Sequence, residues 1–113
     1  MDYICIMTIQ ESHIAKMIGA RVSQQDPNAE VILFGSHATG QAKSESDWDI
    51  LILIDKPKKD RSVEDKYRNI MFQLELELGE AISTLVYSKQ DWETKHNNSP
   101  FYLNIKKEGV KLT

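Results

Sequence analysis

The chain has 113 residues, 41% hydrophobic and 27% charged, with 14 basic residues against 17 acidic ones for a net charge of -3. That length and balance fit one globular domain over residues 1–113, and the mild acidic excess argues against a dedicated nucleic-acid binder. No apolar run approaches the roughly 20 residues needed to span a bilayer. The start, MDYICIMTIQES, shows neither a basic stretch nor a small-residue cleavage site, so no signal peptide is expected. Cys5 stands alone, which leaves no partner for an internal disulfide and no cysteine metal cage. A cytoplasmic protein is the expectation.

In chain order, residues 8–25 place Ile9, Ile14, Met17, Ile18 and Val22 largely at helical spacing, and Pro27 closes the segment. His13 on this helix has no partner four residues on and reads as a surface or boundary histidine rather than a ligand. EVILFGS, residues 30–36, reads as a buried strand ending in a Gly-Ser turn. Residues 36–46 are small and polar and read as a turn or short helix. DWDILILID, residues 47–55, is apolar on both faces towards its end and reads as a central strand that Pro57 stops. The basic run KPKKDR, residues 56–61, is either a solvated loop or a phosphate-contacting rim. Residues 60–79 carry a stripe of Val63, Tyr67, Ile70, Met71, Leu74 and Leu78, with Ser62 and Asp65 as a loose capping box and Gly79 as a left-handed stop. AISTLVYS is a third strand, KQDWETKH adds a helical turn, SPFYLNIKKEG is a helix from Pro100 to Gly109, and VKL is a short last strand. The sum is a small α/β or α+β domain, a mixed sheet of three to four strands covered by helices.

Asp47 and Asp49 raise the chemical question. At i and i+2 of a strand they share one face, and two ionised carboxylates so placed repel. A hard cation resolves that repulsion, and one or two carboxylates with phosphate oxygens and water are the shell magnesium prefers. Gly35 permits a close approach to the backbone, and Ser36 adds a hydroxyl donor beside amides able to face an anion. If the strands that carry Ser36 and Asp47 are neighbours, phosphate and metal sites face one another. Phosphoryl or nucleotidyl transfer requires that arrangement.

Taken together, LFGSHATGQAKSESDWDILILI, residues 33–54, resembles the signature of the nucleotidyltransferase superfamily that includes DNA polymerase beta, and more narrowly its minimal one-domain members. The resemblance implies that Gly35 and Ser36 contact a triphosphate and that Asp47 and Asp49 bind metal and carry the catalysis. It further implies magnesium as cofactor, ATP or another nucleoside triphosphate as substrate, and transfer of a nucleoside monophosphate to a hydroxyl acceptor. Many minimal members are antitoxins paired with an all-helical HEPN-type toxin, and some add AMP to that partner, so the resemblance also implies a protein partner. The small chain leaves little room for a closed cleft, so a homo-oligomer or a hetero-complex is expected.

Two departures stand out. The family pattern has a third carboxylate on a later strand, whereas AISTLVYS offers Ser83 and Thr84 there. Glu80 before that strand and Asp91 after it are the nearby acids. The loop reads GSHATG, where many relatives carry an arginine near Thr39, and His37 is either an exposed loop residue or a charge available on protonation. Two readings follow: a nucleotidyltransferase, or a catalytically weak or silent antitoxin-type module that acts by contact. A sugar-nucleotide enzyme using the aspartate pair is a weaker third, because the chain lacks length for an acceptor domain.

Overall fold

The computed structural model describes residues 8–43 and 45–113. The expectations about Cys5 and the leading MDYICIM lie outside the described residues. Among the described residues nine elements follow in order: α1 (Ile9–Gln25), β1 (Glu30–Phe34), α2 (Ser36–Thr39), β2 (Trp48–Ile54), α3 (Arg61–Leu78), β3 (Ile82–Ser88), α4 (Lys89–Thr94), α5 (Pro100–Glu108) and β4 (Val110–Lys111). The four strands form one mixed sheet in the order β3-β2-β1-β4. β1 runs antiparallel to β2 and β4, while β2 runs parallel to β3.

Strand alternation divides the core in two. Trp48, Ile50, Ile52 and Ile54 of β2 join Val31 and Leu33 of β1 beneath α1 and α3, packed on Ile14, Ile18, Val22, Tyr67, Met71 and Leu74. Leu51 and Leu53 face the other way, with Ile32 and Phe34, against Trp92, Tyr102 and Ile105 of α4 and α5. Burial on both faces explains why ILILI has no polar residue, as the central position of β2 requires.

The helix ends follow from local chemistry. Thr8 and Glu11 close a reciprocal capping box on α1: the Glu11 amide donates to Thr8 Oγ1 at 3.0 Å and the Thr8 amide to Glu11 Oε1 at 3.1 Å. Ile9, expected on the apolar stripe, is 92% exposed, because it occupies the first turn ahead of the residues that meet the sheet. At α3 the cap is Asp60 rather than Ser62. Asp60 Oδ1 accepts from the Val63 amide at 2.9 Å and from the Ser62 hydroxyl at 2.7 Å. Gly79 ends α3 at φ 69°, the left-handed stop expected of it. Among the described residues no helix is long and apolar enough to cross a membrane.

Candidate functional site

The site begins where β1 ends. Phe34 is in register with Asp49 on the neighbouring strand, so the chain segments around Gly35-Ser36 and Asp47–Asp49 lie side by side. Gly35 sits at φ 75°, ψ -157°, a conformation essentially reserved for glycine. A Cβ there would lie 3.1 Å from Asp49 Cγ and would overlap Asp49 Oδ2. The missing side chain is therefore the space that the carboxylate occupies. Ser36 opens the four-residue helix α2, whose leading amides have no carbonyl ahead of them within the helix. Gly40 closes it at φ 77°, and the Gln41 amide donates to the Ser36 carbonyl at 3.0 Å.

Asp47 immediately precedes β2 and is exposed, while Asp49 is half-buried. Asp49 has the parity of Leu51 and Leu53, so it stands on the α4–α5 face of the sheet. Its carboxyl is held above the usual carboxylate range, first by burial and second by the charge of Asp47, with His37 opposing. A proximal like charge and partial desolvation are what a bound cation would relieve. Asp47 and Asp49 are thus the side chains suited to a divalent ion. Among the described residues no cluster of three or more His, Cys, Asp or Glu is placed to hold a metal. Two protein carboxylates match an ion that takes the rest of its shell from phosphate and water.

On β3 the register partner of Asp49 is Ser83, which is exposed on the same face, while Thr84 is buried with the opposite core. Ser83 is therefore the residue standing where a third acid would reach the pair. Glu80 lines a separate hollow of about 300 Å³ with Glu11, Ile14, His37 and Lys43. Asp91 follows Ser88, which pairs with Ile54 at the far end of β2, about 17 Å from Asp49 at about 3.3 Å per strand residue. Its carboxylate pairs with Lys95 at 3.4 Å. The run Lys56–Arg61 also leaves β2 at that far end, so it does not rim the Gly-Ser turn.

His37, read from sequence as an exposed loop residue or a charge source, is only 6% exposed. Its ring stacks on Trp48 with centroids 3.9 Å apart and planes 10° apart. Nδ1 lies 3.0 Å from Glu11 Oε2 and Nε2 lies 3.1 Å from the Ser46 carbonyl oxygen. Burial pushes the Glu11 carboxyl up, but hydrogen bonds from the Thr8 amide and from His37 outweigh it and hold the group below its ordinary value. The Trp48 indole N–H is buried with no acceptor among the described residues. Its backbone amide donates to the Ala81 carbonyl at 2.8 Å, which ties the mouth of β2 to the start of β3. Nothing in the periodicity of GSHATG signals the buried histidine, since its partners lie 26 and 9 residues away in sequence.

A family model described as a nucleotidyltransferase domain matches residues 15–109, a span that includes the Gly-Ser turn, both aspartates and β3. No curated protein matches the chain in sequence.

Proposed function

We propose that this chain, which belongs to the nucleotidyltransferase domain family, transfers a nucleoside monophosphate, AMP from ATP, to a hydroxyl on a partner molecule. In that reaction the acceptor oxygen attacks the α-phosphorus, the bond to the oxygen bridging the α and β phosphates breaks, and pyrophosphate leaves. The supporting observation is the fit of Asp49 into the space that Gly35 leaves free, because it locks a carboxylate against the turn that would receive phosphate. Ser36 and the leading amides of α2 would orient the phosphate oxygens, and Asp47 with Asp49 would hold magnesium. When bound, magnesium neutralises phosphate charge as the transferring group develops it.

The hydroxyl proton leaves to solvent or to a group of the partner molecule, since among the described residues it is Ser83 that stands in register with Asp49 on β3, and a serine hydroxyl is not a base near neutral pH. That one observation favours a second reading, a catalytically silent antitoxin-type module that neutralises a HEPN-type partner by contact. Calorimetry of ATP with and without magnesium, on wild type and on Asp47→Ala/Asp49→Ala, tests the nucleotide site. Magnesium-dependent binding that the double variant loses supports a nucleotide site at this pair. No binding to the wild type overturns the transfer reading and leaves contact.

A further inference from the structure

His37 holds the residues on either side of Asp47. Its Nε2 meets the carbonyl of Ser46, the residue before Asp47, and its ring face stacks on Trp48, the residue after it. The third contact, from Nδ1 to Glu11, anchors the ring to α1, which is itself packed into the core. His37 also lies one residue beyond Ser36. We propose that His37 is a positioning residue, a buried clamp that fixes Asp47 relative to the Ser36 turn and so keeps the two halves of the nucleotide site in register.

Three features carry this. First, the segment before β2 has little of its own to hold it. Among the described residues its turn is closed by the Ser46 amide donating to the Lys43 carbonyl at 3.0 Å and the Lys43 amide donating to Ser46 Oγ at 2.8 Å. Those bonds fix the turn internally, not its placement on the domain, whereas the bond to His37 fixes placement. Second, each ring nitrogen lies within hydrogen-bond distance of an oxygen, Nδ1 at 3.0 Å from Glu11 Oε2 and Nε2 at 3.1 Å from the Ser46 carbonyl, so the ring is held at both ends. A buried group satisfied at each polar atom has one arrangement rather than several. Third, the near-parallel stack leaves the imidazole no freedom to turn without losing the Trp48 contact. The role deepens the transfer reading and rests on it for its purpose, although the clamp itself is a property of the chain alone.

The test uses amide hydrogen exchange and manganese broadening in the NMR spectrum of the full chain, with Mn²⁺ alone as the probe. His37→Phe keeps a flat ring on Trp48 and donates nothing. Glu11→Ala frees the ring from α1, and Glu11→Gln keeps an oxygen for Thr8 and an amide for the ring. In His37→Phe, exchange at Lys43 and Ser46 should accelerate about tenfold while Ile50 and Ile52 keep their protection, since the opening is local. Broadening at Asp47 and Asp49 should require about tenfold more Mn²⁺, the scale at which supporting contacts act on metal affinity. Glu11→Ala should behave likewise and Glu11→Gln should return both readouts to near wild type. A merely structural histidine would loosen Ile50 and Ile52 along with the turn. Exchange at Ser46 within twofold of wild type in His37→Phe overturns the clamp. If that variant does not fold, Glu11→Ala indistinguishable from Glu11→Gln overturns it instead. Absence of manganese broadening in the wild type sinks the metal reading of the aspartates, and the exchange at Ser46 still decides the clamp.

Discussion

Single residues set the chemistry of the site, and Gly35 is the sharpest case. Any side chain there meets Asp49 while the backbone stands at φ 75°, ψ -157°. Gly35→Ala is therefore expected to cost about 1–3 kcal/mol from backbone strain alone, read as a lower urea midpoint, and to weaken magnesium–ATP binding because Asp49 must move. Asp49 gives the opposite stability result. Because burial first and Asp47 second raise its carboxyl, the folded protein keeps a proton there at pH values where the unfolded chain has lost it. The contribution of Asp49 to stability is then greatest below the ordinary carboxylate range and falls as pH rises through the window between its unfolded and its raised folded values. Asp49→Asn removes that loss, so its urea midpoint should exceed wild type at neutral pH and converge with it in acid, although turnover disappears. Equal midpoints at neutral pH would show that the pair imposes no strain on the fold. Ser83→Asp restores an acid in register with Asp49. If a missing base limits transfer, steady-state turnover should rise by about a hundredfold or more. An unchanged rate would mean that the proton leaves by another route.

Elements hold those residues in place through ends as much as through interiors. α5 covers the face that bears Asp49, and Phe101 in its first turn meets Phe34, the register partner of Asp49, edge to face at 5.2 Å. Ser99 Oγ caps α5 by accepting from the Tyr102 amide at 3.0 Å. Ser99→Ala should lower stability by about 1 kcal/mol, the usual value of such a cap, as measured by denaturant unfolding. The elements were largely legible in the sequence because their signals are local. ILILI announced a strand buried on both faces, the stripe from Val63 to Leu78 announced α3, and Ser99-Pro100 announced the start of α5. Misreadings arose where the deciding contact is distant or where two local signals compete. Ser62 looked like a cap, but Asp60 gathers both the Val63 amide and the Ser62 hydroxyl. The choice between Ser83 and Thr84 needed the β2–β3 register, and the burial of His37 needed Glu11 and Ser46, which no periodicity links to it.

At the scale of the whole molecule, the length of β2 separates two charged regions that the sequence places close together. Asp47 and Asp49 stand at its start, whereas Lys56 and Lys58 lie just beyond its end, exposed in the loop before α3. Asp49 and Ile54 are already about 17 Å apart along the strand, roughly twice the Debye length of about 8 Å at physiological ionic strength. Charge at one end is therefore nearly invisible at the other. Lys59 is also engaged locally, bonded to Glu64 at 2.7 Å and lying over the Tyr87 ring at 4.8 Å, which fastens the loop to α3 and β3. A triphosphate held at the Gly35-Ser36 turn should not sense this loop. Calorimetry of Lys56→Ala/Lys58→Ala with magnesium–ATP at physiological salt should thus return an affinity within about twofold of wild type, given that screening. A tenfold loss would place phosphate at the far end of β2 and would move the nucleotide away from the aspartate pair altogether.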